Sequence, residues 1–200
     1  MRPDSRVWGD YLKAFTRIVQ KVSALIGNIE PDLLPVRLYV AGGAALHLRT
    51  GARITEDIDG TFSRRVFLND DIQAAYKDPD GRARFLYLDR NCNDSLGLLH
   101  EDAYKDSELV ELEGTDSHIL EVRVLSPLDL AVSKLARFNE LDREDIQVLA
   151  RERLIDPGSL RKRAEEALGG YVGNLASVRT SIDLACNLVK ETQARQSRQP

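Results

Sequence analysis

Two glycines and two aspartates, Gly42-Gly43 and Thr55-Glu56-Asp57-Ile58-Asp59, constrain this 200-residue chain more than any other feature. Leu38-Tyr39-Val40 reads as a short buried strand, and Ala44-Ala45-Leu46-His47-Leu48-Arg49 as a helix opening directly on the glycines. Glycines at such a junction let backbone N–H groups approach a ligand, and the helix N-terminus adds partial positive charge. An anion such as a triphosphate is stabilised there. Asp57 and Asp59 fall in what reads as a strand running to Thr61-Phe62, which puts both carboxylates on one face, roughly 6.5 to 7 Å apart. Like charges so placed repel, so a fold that keeps them gains from a cation between them, and the spacing suits one or two Mg²⁺ ions. Taken singly, Gly-Gly is also a tight turn and Asp-x-Asp a solvated strand edge. Their order within one strand, turn, helix, strand unit favours the metal site.

The rest of the chain supplies the frame. Val7, Trp8, Tyr11, Leu12, Phe15, Ile18, Val19, Val22, Leu25 and Ile26 form a helical stripe ending near Gly27-Asn28, and Pro31 and Pro35 bracket an extended link to the first strand. Asp70 to Lys77 suggests a surface helix, closed by the turn Asp78-Pro79-Asp80-Gly81; Arg84 to Leu88 reads as a strand, and Asn91 to Ser107 as a loop. His118 to Leu125 is a strand with Leu120, Val122 and Val124 facing the core and Glu121 and Arg123 on the other side.

Ser126-Pro127-Leu128-Asp129 opens a helix spanning 127 to 139, with Lys134 beside its apolar stripe. If that helix ran on unbroken, Asp145 would lie about 16 Å beyond Lys134, so a break near Asn139-Glu140 is expected if both serve one site. Asp142 reads as the N-cap of a helix from Arg143 to about Arg153. Helices over Leu160 to Leu168 and Val172 to Val189 follow, and Gln193 to Pro200 reads as a frayed tail.

These elements predict an α+β fold: a mixed sheet flanked by helices, with a C-terminal helical subdomain. The expected divisions are an N-terminal helix (1–30), an α/β core (31–126), the helical subdomain (127–192) and the tail (193–200). Cys92 and Cys186 stand far apart without metal-type spacing, and no stretch has the length of a membrane span or the form of a leader, so a reduced, cytoplasmic setting is expected. The net charge of −4 argues against a general nucleic-acid coat protein. Residues 151–200 nevertheless hold nine Lys/Arg against six Asp/Glu, with Arg151, Arg153, Arg161, Lys162 and Arg163 clustered as either a solvated helix face or a phosphate-tracking patch.

The motifs together resemble the nucleotidyltransferase fold of the DNA polymerase β type, whose signature is a hydrophobic residue, Gly-Gly or Gly-Ser, a short helix, then Asp-x-Asp on the next strand. More narrowly they are similar to bacterial AbiEii/AbiGii-type toxin nucleotidyltransferases, including the MenT-like toxins. In that group a Ser/Thr precedes Asp-x-Asp with an Arg just upstream, matching Thr55 and Arg53, and a later Lys and Asp-x-x-Asp match Lys134, Asp142 and Asp145. The resemblance spans roughly residues 36 to 150.

The resemblance implies Mg²⁺ (or Mn²⁺)-dependent transfer of an NMP from an NTP. Asp57, Asp59 and a third carboxylate would be metal ligands, Gly42, Gly43, Thr55 and Arg53 would seat the nucleotide, and Lys134 and Asp145 would assist. Glu121 is the candidate third ligand, as a lone acid in an apolar and basic strand, although an ion pair with Arg123 or a cross-strand Arg explains it equally well. Many relatives carry Ser where Gly43 stands, so backbone amides or Thr55 must compensate for the absent hydroxyl. The resemblance further implies the 3′ end of tRNA as acceptor, as for toxins of the MenT kind, while other enzymes of this fold modify a protein hydroxyl or an antibiotic, and it implies a cognate antitoxin as partner. The alternative is an inactive member of the fold that acts through a protein partner.

Overall fold

The computed structural model describes residues 9–27, 29–68, 70–89 and 96–197; the expectations for Val7, Trp8, Asn28 and Cys92 lie outside these. The chain folds as two compact units, one of Met1–Ser95 with Ser107–Val124 and the other of Leu96–Asp106 with Leu125–Pro200. The N-terminal helix therefore belongs to the α/β unit, and residues 96–106 to the helical one.

In the α/β unit, α1 (Gly9–Ile26) buries Tyr11, Ala14, Phe15, Ile18, Val19, Val22 and Ile26, the stripe its helical period demands. It is followed by β1 (Val36–Val40), α2 (Gly42–Thr50), β2 (Gly60–Phe62), β3 (Ile72–Lys77), β4 (Ala83–Leu88), β5 (Glu108–Leu109) and β6 (Leu120–Val124). One sheet has the order β2-β1-β6-β5 and β3 pairs with β4 in a second. β1 runs parallel to β6 and antiparallel to β2, giving the expected mixed sheet, and α1 packs on β3, β4 and β6. Leu120, Val122 and Val124 are buried as the alternation required.

Two expectations fail in this unit. The segment Asp70 to Lys77 is not a surface helix: Ile72, Ala74 and Tyr76 are buried and Gln73, Ala75 and Lys77 exposed, so β3 forms one arm of a hairpin whose turn is the Asp78 to Gly81 segment. Local preference for helix at Gln, Ala and Lys gives way to cross-strand pairing. The Asp57-x-Asp59 segment is extended, but regular strand begins only at Gly60, after both acids.

The helical unit contains α3 (Pro127–Ser133), α4 (Glu140–Arg151), α5 (Pro157–Ala167) and α6 (Leu175–Gln196). Ser126 caps α3, its hydroxyl accepting the Asp129 amide. α3 stops at Ser133, well short of residue 139. The chain turns through Phe138, held in the left-handed region at φ 46°, and Asn139 then caps α4. Asp142 is thus not an N-cap. It sits at the third position of a capping box, its carboxylate accepting the Asn139 amide while Asn139 Oδ1 accepts the Asp142 amide. α6 runs to Gln196, with Gln193 and Gln196 donating to the Ile155 and Arg151 carbonyls, so the segment expected as a frayed tail is helical for its first turn. No described helix is long and apolar enough to cross a membrane.

Candidate active site

β1 delivers the chain to Ala41, and α2 begins at Gly42 without a side-chain cap on its N-terminal amides. Amides left without a side-chain partner there are donors for an anion. Gly42 has φ +58°, and a Cβ at this position would run into the Asp59 carboxylate, so the acid rests directly on the glycine. The Ala41 amide donates to the Asp59 carbonyl at 2.8 Å, which pins the acid-bearing segment beside the start of the helix. At Gly43 a Cβ would stand 2.9 Å from Thr55 Cβ and 3.1 Å from both Thr55 Oγ1 and Arg53 Nη2. Gly42, Gly43, Arg53, Thr55 and Asp59 therefore meet at one point, and Asp57 follows two residues before Asp59. Absence of a side chain at Gly43 is what admits the Thr55 hydroxyl and the Arg53 guanidinium.

Asp57 and Asp59 are exposed while Ile58 between them is buried, so both carboxylates leave the same side of the segment. Neither takes part in a salt bridge among the described residues. Burial, then the charges of Asp59, Glu56 and Asp89, push the Asp57 carboxyl above the usual carboxylate range. Hard oxygen donors in surplus negative charge suit Mg²⁺, which is commonly held by one or two carboxylates with phosphate oxygens completing the shell. Among the described residues no three His, Cys, Asp or Glu side chains are gathered closely enough to hold a metal by themselves.

On the other flank, the segment runs parallel to β4: Asp57 pairs with Tyr87, the Tyr87 amide donates to the Glu56 carbonyl at 2.7 Å and the Ile58 amide to the Tyr87 carbonyl at 2.8 Å. Asp89, two residues beyond Tyr87, is exposed like Tyr87, and its charge acts on Asp57. Sequence reasoning missed this acid. Its signal was the alternation Phe85, Tyr87, Asp89, with Leu86 and Leu88 buried between.

Glu121 is placed otherwise. The register sets it opposite Arg37, whereas Gly60 lies opposite Val40, so Glu121 stands about 10 Å down the sheet from the Asp59 end. Arg37 Nε donates to its Oε2 at 3.0 Å and Arg123 Nη1 lies 3.6 Å away. The ion-pair explanation of Glu121 therefore holds, and the metal-ligand one is corrected.

Lys134 and Asp145 do meet. The turn after α3 lets Lys134 Nζ reach Asp145 Oδ2 at 2.6 Å and approach Asp142 Oδ1 at 3.8 Å. Lys134, Asp142 and Asp145 are buried, and Arg137 adds two hydrogen bonds to Asp142 at 2.9 and 2.7 Å. Burial alone would raise the Asp142 carboxyl, but the Arg137 hydrogen bonds, the Asn139 amide and Lys134 hold it below the usual range. The Lys134 amine is engaged within the helical unit by two carboxylates and ties α3 to α4. The basic cluster is likewise partly consumed: Arg161 pairs with Asp183, and Arg163 with Asp129 and Asp106.

The glycine geometry predicts the outcome of Gly42→Ala. Left-handed backbone at a non-glycine residue costs roughly 1–2 kcal/mol, and Asp59 is displaced as well. We expect a lowered melting temperature together with about a hundredfold loss of activity, the scale of a 1 Å misplacement, read as kcat/KM beside a thermal melt.

Residues 13–184 match the model of a family described as "Nucleotidyltransferase of unknown function (DUF6036)". No curated protein and no solved structure matches the chain.

Proposed function

The chain belongs to this nucleotidyltransferase family, and from that premise we propose that it moves an NMP from an NTP to a hydroxyl acceptor with Mg²⁺ (or Mn²⁺) at Asp57 and Asp59. The observation that carries the proposal is the seating of the Asp59 carboxylate on Gly42 with Arg53 and Thr55 on Gly43. It joins a phosphate-binding helix start to a cation site within a few ångströms. Asp89, whose charge acts on Asp57, is a further acid beside the pair, while Glu121 is taken up by Arg37 and Arg123.

In this reading the β and γ phosphates lie over the first amides of α2, with the Arg53 guanidinium as a further cation and the Thr55 hydroxyl doing what Ser does in relatives at position 43. Bound magnesium would neutralise the triphosphate and polarise its α-phosphate. The acceptor oxygen forms a bond to the α-phosphorus and the bond to the bridging oxygen breaks, so pyrophosphate leaves toward the glycine turn. The acceptor proton passes to Asp89, the carboxylate on the far side from that turn. The narrower likeness to toxin nucleotidyltransferases makes the 3′ end of tRNA the acceptor of choice and a cognate antitoxin the partner.

The test is incubation of the purified protein with Mg²⁺, each α-³²P-labelled NTP in turn, and total bacterial RNA or protein. Label entering tRNA would support the reading and name the nucleotide. Absence of label with every NTP and acceptor would favour the inactive binding module.

A further inference from the structure

β4 carries two aromatic residues on its solvent side. Phe85 is 45 % exposed and Tyr87 36 % exposed, and their ring centroids lie 6.1 Å apart at an interplanar angle of 40°. The hairpin register places Ala75 opposite Phe85, Gln73 opposite Tyr87 and Lys77 opposite Ala83, all exposed on the same face. The opposite face, with Ile72, Ala74, Tyr76, Leu86 and Leu88, is buried. Ala75 is a small neighbour to Phe85, Gln73 stands opposite Tyr87, and Lys77 is the only charged side chain among the paired positions of that face.

The location gives these rings meaning. Tyr87 is the bridge partner of Asp57, so the aromatic row begins at the carboxylates and leads away from them. Across the acid segment, on the other flank, are Gly42 and the start of α2. In a displacement at phosphorus the entering oxygen comes in line, from the side opposite the leaving group. With pyrophosphate leaving over the glycine turn, the acceptor must enter over β4. An acceptor that meets two part-exposed aromatic rings, with a glutamine amide beside them and Lys77 at the end of the row away from the carboxylates, is one that brings flat π-faces on a charged backbone.

We propose that Phe85 and Tyr87 form a stacking platform for the unpaired terminal bases of a polynucleotide acceptor. Tyr87 takes the base that bears the reacting hydroxyl and Phe85 the base before it, while Lys77 meets the connecting phosphates. Stacking on exposed rings is tolerant of base identity, so the platform selects single-stranded ends rather than a sequence. The proposal rests on the transferase reading for the direction of entry, but the binding it describes needs neither NTP nor metal.

The experiment measures binding of a fluorescently labelled single-stranded oligoribonucleotide to the full-length protein by anisotropy, at fixed salt and without NTP. It is repeated with an oligonucleotide lacking its 3′-terminal base, and with free NTP as competitor. Tyr87→Ala and Phe85→Ala are each expected to weaken RNA binding about tenfold, the scale of one stacked base. Tyr87→Phe should retain it, and removing the terminal base should weaken wild type but have little further effect on Tyr87→Ala. Thermal melts confirm that the exposed substitutions leave the fold intact. RNA binding that is absent from wild type, or unchanged in both alanine variants, would overturn the proposal. So would a loss of NTP affinity with RNA affinity preserved, because the rings would then hold the donor base. Tyr87-dependent RNA binding in a protein that transfers no label would keep the platform and sink the transferase reading, so the two failures are separable.

Discussion

Asp57→Asn with Asp59→Asn is expected to lower nucleotidyl transfer by about 10³-fold or more while making the protein more stable. On the proposed reading the rate loss follows from removing the carboxylates that would hold an ion able to supply several kcal/mol of charge stabilisation at the transferring phosphate, where each 1.36 kcal/mol is tenfold in rate. The gain in stability follows from the sign of the Asp57 shift. Its carboxyl is raised by burial and by the charges of Asp59, Glu56 and Asp89. An acid whose folded pKa lies above its unfolded value near 3.9 binds its proton more tightly in the native state. Native stability is therefore lost as pH rises from the unfolded value through the folded one, and the loss is complete at neutral pH. Thermal melts should show the variant above wild type at pH 7, with the difference vanishing below about pH 4, where both states of the wild type hold the proton. Added Mg²⁺ should raise the melting temperature of wild type and leave that of the double variant unchanged. A variant that melts lower than wild type at pH 7 would mean that the two acids hold the fold together.

Asp145→Ala is expected to cost the helical unit roughly 3–5 kcal/mol, because it strands the buried Lys134 amine beside a single remaining carboxylate. At about 2–4 °C per kcal/mol for a chain of this size, the melting temperature should fall by roughly 10 °C. Lys134→Met should be similarly damaging, since it leaves Asp145 and Asp142 buried together. Changing both, Lys134→Met with Asp145→Leu, should cost far less than the sum, the mark of a directly coupled pair. Calorimetry on the three variants checks this. Additive losses would mean that each residue acts through separate partners.

The start of the site was legible because its logic is local. Leu38 to Val40, the paired glycines and the following helix each follow from spacing and backbone freedom within a dozen residues, and they fold as the pattern demands. The break between Lys134 and Asp145 was legible for a different reason: helix rise is fixed, so their meeting at 2.6 Å requires a turn, and Phe138 and Asn139 provide it. What failed depends on distant pairing. Gln73, Ala75 and Lys77 favour helix locally, yet β3 is a strand because β4 lies beside it. For Glu121 the ligand and ion-pair readings stood level in the sequence, because no sequence rule announces which residue of β1 lies opposite; it is Arg37. Asp89 was missed because its approach to Asp57 follows from the parallel bridge of Tyr87 to Asp57, a relation between residues about thirty positions apart.

The measurement that bears most directly on the account uses one NTP labelled in two positions, in parallel reactions with tRNA and Mg²⁺. Transfer at the α-phosphorus predicts that α-³²P appears in the acceptor and that γ-³²P appears in pyrophosphate in equal molar amount, both abolished by Asp57→Asn with Asp59→Asn. Entry of the γ label into the acceptor, or release of label with the two aspartates replaced, would contradict the assignment of Gly42, Asp57 and Asp59 to a nucleotidyl-transfer site.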